Sequence, residues 1–212
     1  MMFSDVVVHL ESALRTDLPG IDAQRLLAPR PRREWPPDFD PARIRHAAGL
    51  LLVFAVADRA HIVLTVRADT LGRHSGQVSL PGGEVEAGET VEHAALRETH
   101  EEIALPLEHV RVLGRLTPVD IPVSGFRLHP IVAVTDVRPL LVSSDGEVAR
   151  ILEVAIDELT APERLVSAER ERDGRAMIVP AFQVGGEEIW GATAMVLAEF
   201  LSLLGWRPTF PQ

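Results

Sequence analysis

The sequence predicts a mixed α/β or α+β domain. Strand-length apolar runs stand both before and after one central stretch of helical periodicity, and no apolar run reaches the roughly 18 to 20 residues that cross a bilayer. The chain has 212 residues and a hydrophobic fraction of 46%, which suits one domain with a real core.

The elements are expected in this order. Val6 to Leu14 and Ile21 to Leu27 read as short amphipathic helices. Pro29 to Pro41, rich in Pro, Arg and Asp, reads as an irregular arm into the main domain. Ala47 to Ala57 has the density and length of a buried strand. His61 to Arg67 is a second strand across a turn at Asp58 to Ala60. Leu71 to Gly83 carries four glycines and one proline and is expected to be mostly loop. Thr90 to Ile103 is the periodic helix. Val110 to Leu116, Leu128 to Thr135 and Val148 to Ala155 are further strands. Ile156 to Glu163 reads as a short helix capped by Asp157, Met177 to Val184 as a strand, and Ala192 to Leu204 as an apolar C-terminal helix. The whole of 1–212 is taken as a single domain, with 1–45 an N-terminal helical extension.

Composition excludes several classes. Cysteine is absent, so there is no disulfide framework, thiolate nucleophile or zinc–sulfur site. The net charge of −10 repels a phosphate backbone and argues against nucleic-acid binding, although a small anion remains possible where a metal ion reverses the local field. The N-terminus lacks the pattern of a signal peptide. A cytoplasmic protein without a membrane partner is therefore expected, as a monomer or a homodimer.

The stretch GEVEAGETVEHAALRETHEEIAL, residues 83–105, carries the chemistry. Seven acids fall between Glu84 and Glu102 against one arginine, Arg97. Glu98, Glu101 and Glu102 stand at i, i+3 and i+4, which is one helix face. Leu96 and Ile103 lie roughly opposite, with Thr99 at the flank. Like charges so spaced destabilise a helix by a few tenths of a kcal/mol per pair. Clustered carboxylates without cysteine or a histidine pair suit Mg²⁺ or Mn²⁺, and the glycines at Pro81-Gly82-Gly83 let backbone approach a ligand.

Those residues resemble the signature of the Nudix family, G-x5-E-x7-R-E-U-x-E-E-x-G-U, where U is a bulky aliphatic residue. Gly83, Glu89, Arg97, Glu98, Glu101 and Glu102 fall at the required spacings and Leu105 fills the last position, so the box spans 83–105. Thr99 and Ala104 depart from it, and neither removes a carboxylate. The resemblance implies the Nudix fold, a mixed β-sheet sandwiched between helices. It implies hydrolysis of a diphosphate bond with Mg²⁺ or Mn²⁺, with Glu98 and Glu102 as main metal ligands and Glu101 as a further ligand or a holder of metal-bound water. It also implies that Arg97 pairs with the structural residue Glu89. The base is left among Glu101, Glu102 and Glu147, the last of which reads equally as a surface turn.

The preceding segment, LTVRADTLGRHSGQVSLPGG, resembles the coenzyme A pyrophosphatase branch of that family through Thr65, Arg67, Ala68, Gly76, Val78, Pro81, Gly82 and Gly83. Arg73 and His74 are adjacent where that pattern separates them, and Leu80 replaces a phenylalanine. The implied substrate is coenzyme A or a derivative, cut to adenosine 3′,5′-bisphosphate and 4′-phosphopantetheine. Arg67, Arg73, His74, Gly82 and Gly83 are the expected substrate contacts. Phe126 would stack on adenine or simply pack, and Met195 and Leu197 would line a channel for the pantetheine arm or belong to the core. ADP-ribose and dinucleoside polyphosphates are the alternative substrates. A catalytically silent nucleotide-binding domain is the alternative of another class.

Overall fold

The computed structural model describes residues 1–68, 76–144, 146–172 and 174–208. Two short helices, α1 (Phe3–Ala13) and α2 (Gly20–Arg25), precede the arm. The main sheet holds β1 (Arg45–Val56), β2 (Arg59–Arg67), β3 (Val78–Ser79), β4 (Gly82–Glu84), β5 (Val110–Arg115), β6 (Val119–Ile121), β7 (Phe126–Thr135) and β8 (Val148–Ala155). Helix α3 (Val91–Ile103) lies between β4 and β5. After α4 (Ile156–Thr160) come β9 (Leu165–Arg172), β10 (Arg175–Val184) and β11 (Glu187–Trp190), which form a second, three-stranded sheet, and then α5 (Gly191–Leu203).

The main sheet runs β3-β2-β1-β7-β5, with β8 also on β2, β4 on β1 and β6 on β7. Only β1 and β7 pair in parallel, Arg45–Phe54 against Phe126–Thr135; the other pairings are antiparallel, so the sheet is mixed. The apolar run in β1 is continuous because both faces are covered. Leu50, Leu52 and Phe54 join Val63, Ile131 and Ala133 beneath Ala94, Ala95 and Ile103 of α3. Leu51 and Val53 join Ile62, Leu64, Val132 and Val134 on the other face, with Val6 and Leu10 of α1 and the apolar side of α5. Each such leucine or phenylalanine contributes roughly 1.5–3 kcal/mol through burial.

The sheet forks between β1 and β2. The two pair only from Val53–Val56 against Arg59–Ile62. Beyond that β1 takes β4 as its neighbour at Ala47–Gly49, while β2 takes β3 at Thr65–Val66. The fork seats the Gly82–Gly83 segment. Gly82 has φ +151°, and a Cβ there would stand 2.1 Å from the Ala48 carbonyl oxygen, so only glycine fits. On α5 the buried Glu199 accepts hydrogen bonds from Gly20 N, Thr117 N and Gln24 Nε2 at 3.2, 3.2 and 2.8 Å, which ties α2 and the β5–β6 connection to the C-terminal helix.

Several expectations are corrected. The segment ending at Gly83 is not all loop: β3 and β4 form within it, because Val78 and Leu80 alternate into the core. Strands β6, β9 and β11 were not expected either. Asp157 does not cap α4; Ala155 occupies that position and the Asp157 carboxylate pairs with Arg59. Thr99 is fully buried in the middle of the α3 packing face rather than at its flank, and its hydroxyl donates to Ala95 O at 2.6 Å, which satisfies it without breaking the helix. No helix among the described residues is long and apolar enough to cross a membrane.

Helix α3 ends at Ala104, which sits in the left-handed region at φ 52° and ψ 34° and donates its N–H to His100 O at 2.9 Å. A side chain there costs about 1 kcal/mol. Ala104→Gly is expected to stabilise the protein by about that amount and raise its Tm by roughly 2–4 °C. An unchanged or lower melting temperature in calorimetry would show that the cap is not strained.

Candidate active site

Arg97 organises the carboxylate helix. Its Nε and Nη2 donate to the two oxygens of Glu89, each at 3.0 Å, in a bidentate fork. Nη1 donates to Glu98 Oε1 at 2.8 Å and Glu101 Oε2 at 3.1 Å, and Nη2 also reaches Glu84 O at 3.2 Å. One guanidinium thus offsets three carboxylates and fastens the loop before α3 to the helix. The Glu89 hydrogen bond, with help from Glu98, holds the Arg97 guanidinium well above its ordinary range. The same bond, against some burial, holds the Glu89 carboxyl below its usual range. Thr90 caps the helix through a 3.3 Å bond from His93 N, and this places the face two turns further on.

The glycines of β4 meet that face. A Cβ on Gly83 would lie 2.4 Å from Glu98 Cδ, so the Glu98 carboxylate rests against the bare Gly83 backbone. Glu102 Oε2 accepts the Gly82 N–H at 3.0 Å. Glu101 is the most open of the acids, with its side chain 55% exposed against 15% for Glu89. Glu98, Glu101 and Glu102 offer only oxygen, on one face, beside backbone that admits a ligand closely; that donor set fits a hard divalent cation. In the described conformation they do not converge as a three-ligand group, because Arg97 draws Glu98 and Glu101 and the Gly82 N–H takes Glu102.

Across Gly82 and Gly83 a cleft of about 940 Å³ opens on the other face of the sheet. Its walls come from Ala47–Gly49, β6, the arm, the second sheet and the start of α5. Arg67 lines it, with Nη2 3.8 Å from Glu147 Oε2, and Ala68 N donates to Glu147 O at 2.8 Å. The fold therefore brings Glu147 beside Arg67 at the meeting of β2 and β8. Met195 lines the cleft, whereas Leu197 is core. Phe126 is not in its wall; Arg45 sits 3.9 Å over its ring. Arg73 and His74 lie outside the described residues. Sequence reasoning missed Arg32, Arg33, Met177 and Trp190 in the wall. Nothing in the arm's spacing marks its arginines.

Under the loop that leads into α3, His46 Nδ1 and His129 Nε2 stand 2.8 Å apart. Burial first, then the neighbouring His46 and Arg127, push His129 below the ordinary imidazole range, and Asp120 opposes them weakly. The unfolded chain therefore takes up this proton at higher pH than the folded one. The stabilisation is complete above about pH 6.5 and drains away as pH falls through the depressed value.

The family model described as NUDIX domain matches residues 44–173. The uncharacterized Nudix hydrolase NudL of Pectobacterium atrosepticum is 32% identical over 176 residues, which span 82% of this chain and 91% of that protein. Its namesake in Citrobacter koseri is 34% identical over 165 residues, 77% of this chain and 85% of that one. Among solved structures, the Nudix hydrolase RenU of M. smegmatis superposes with a TM-score of 0.53 at 21% identity, over 80% of this chain and 91% of that chain. At that identity the likeness is one of fold.

Two tests come from this geometry. Gly83→Ala should push the Glu98 carboxylate aside, a cheap movement for the end of a flexible side chain. Turnover is expected to fall by about a hundredfold or more while the melting temperature barely moves. Full activity in a variant shown by crystallography to have moved Glu98 would refute a role for its position. Second, the melting temperature should decline between pH 7.5 and 5.5, and His129→Gln should decline less. Parallel curves for the two proteins would remove His129 as the source.

Proposed function

This chain belongs to the Nudix family, and we propose that it hydrolyses the diphosphate of coenzyme A or a derivative, releasing adenosine 3′,5′-bisphosphate and 4′-phosphopantetheine. The observation that carries the reading is the junction at Gly82–Gly83. A face of three carboxylates stands on one side of it, and a cleft with both cations and an apolar wall on the other. A diphosphate needs the first. A long uncharged arm joined to a phosphorylated nucleotide needs the second. The cleft volume lies at the upper end of what small-molecule sites require.

Glu98 and Glu102, with Glu101, would hold Mg²⁺ or Mn²⁺. When bound, the ion supplies charge neutralisation at the diphosphate and lowers the pKa of water. The chain's own residues do the rest. Gly82 and Gly83 allow the diphosphate to lie against backbone. Arg67 contributes a planar fork for phosphate oxygen, and Arg73, six residues further along the sequence, is assigned the same task. Arg97 keeps Glu89, Glu98 and Glu101 in register and would yield Glu98 and Glu101 as the site loads. Glu147, whose carboxylate stands 3.8 Å from Arg67 of the cleft, would take a proton from the attacking water, and Glu101 and Glu102 are the other candidate bases. Met177, Trp190 and Met195 give the pantetheine arm its apolar surface.

The purified chain with Mg²⁺ or Mn²⁺ should convert coenzyme A to two phosphorylated products, identified by mass spectrometry, and should be inert with EDTA. Glu98→Gln should keep the fold and lose turnover by orders of magnitude, since a neutral amide does not replace a charged ligand. Intact coenzyme A beside rapidly consumed ADP-ribose or diadenosine polyphosphate would leave the chemistry standing and overturn the substrate. No hydrolysis of any of the three would favour the silent nucleotide-binding alternative.

A further inference from the structure

The arm between α2 and β1 is fastened at two places. Arg30 and Ile178 of β10 exchange backbone hydrogen bonds at 2.9 Å in both directions, and Arg32 Nη2 reaches the Asp120 carbonyl of β6 at 3.5 Å. Between and beyond these points Pro29, Pro31, Arg32, Arg33 and Glu34 form one wall of the cleft. Two consecutive arginines in that wall repel each other. The acids there are Glu34 and Asp120; the Asp120 carboxylate is bound by Arg127 at 2.7 Å and also lies in the field of Arg32. In a chain of net charge −10, a cleft that gathers Arg32, Arg33 and Arg67 is a local reversal of sign. Their placement matters too. Arg67 ends β2, on one side of β1, whereas the arm lies against β6, which pairs with β7 on the other side. The cations therefore stand on opposite flanks of a space far larger than a diphosphate fills.

We propose that Arg32 and Arg33 form a second anion subsite, which receives a phosphomonoester on the substrate's nucleotide, apart from the diphosphate at Gly82–Gly83. Under the coenzyme A reading, on which this rests, the group is the 3′-phosphate. The arm then acts as a specificity element: it separates nucleotides that carry an additional phosphate from those that do not. A planar guanidinium fork donates two parallel N–H bonds to a pair of oxygens on the tetrahedral phosphomonoester, and a wall pinned to both sheets holds the arginines at a fixed distance from the reacting bond.

Calorimetric titration of the full chain with adenosine 3′,5′-bisphosphate and with adenosine 5′-monophosphate, in Mg²⁺ buffer, tests this without turnover. The native protein should bind the bisphosphate about tenfold or more tightly than the monophosphate. Arg32→Ala/Arg33→Ala should lose that advantage while monophosphate binding and melting temperature stay as they were, and Arg32→Lys/Arg33→Lys should keep part of it. An advantage retained in the alanine pair, equal weakening of both nucleotides, or no advantage in the native protein would each overturn the subsite. Coenzyme A and dephospho-coenzyme A hydrolysis is followed alongside. If coenzyme A is not cut yet the bisphosphate preference is present and vanishes in the alanine pair, the substrate reading falls and the subsite stands. If coenzyme A is cut and the preference survives in that pair, the reverse holds.

Discussion

The Arg97 guanidinium is the interaction on which the site depends. A helix that carries carboxylates at 98, 101 and 102 on one face works against its own stability, and without a cation the acids would turn outward into water. Arg97 gathers Glu89, Glu98 and Glu101 and also binds the Glu84 carbonyl, so it holds the loop, the helix and β4 together. Lysine would supply the charge but not the bidentate contact with Glu89. The same bonds place one oxygen of Glu98 and one of Glu101 on the arginine. The resting site is thus only partly offset by its own cation, and an incoming divalent ion competes with that cation for the same oxygens.

The cleft depends on a different constraint, the parting of β1 from β2. Two glycines and two very short strands fill the parting, and there the carboxylate face of the helix meets the cleft. The rest of the cleft is assembled from parts far apart in sequence: the arm, β6, the second sheet and the start of α5. Glu199 helps to fix that arrangement from inside, because its carboxylate joins α2, α5 and the connection after β5 through three N–H donors. A buried carboxylate so fully satisfied acts as a registration point for the elements that meet around it.

Much of this was legible in the residues. The box reads directly because its chemistry is local: spacing along one helix sets which acids share a face, and the loop glycine sits a fixed number of residues before them. The strands β1, β2, β7 and β8 are long and apolar, so their pattern is strong. The strands β3, β4 and β6 have two or three residues each and owe their existence to a neighbour's open edge, which no local pattern records. Helical angle alone puts Thr99 at the flank and does not record which neighbour it will meet; the structure buries it, and the Ala95 carbonyl takes its hydroxyl. Arg32 and Arg33 were passed over for a like reason. A basic, proline-rich stretch carries no sign of what it will lie against, and the contacts that place it come from strands about ninety and a hundred and fifty residues later.

The parallel pairing of β1 with β7 bears on how the chain is made. On one edge residues 45–54 find their partners in residues 126–135, and the second half of the chain supplies α5 and β8, which close the remaining face and the edge of β2. During synthesis Leu50 to Phe54 therefore leave the ribosome long before anything can cover them on that side. At about 5–20 residues per second the strand waits for several seconds with that edge unpaired and the apolar face of Leu51 and Val53 bare. The nascent chain is in that interval a substrate for holding chaperones, and its yield on overexpression should depend on their supply more than on the stability of the finished fold.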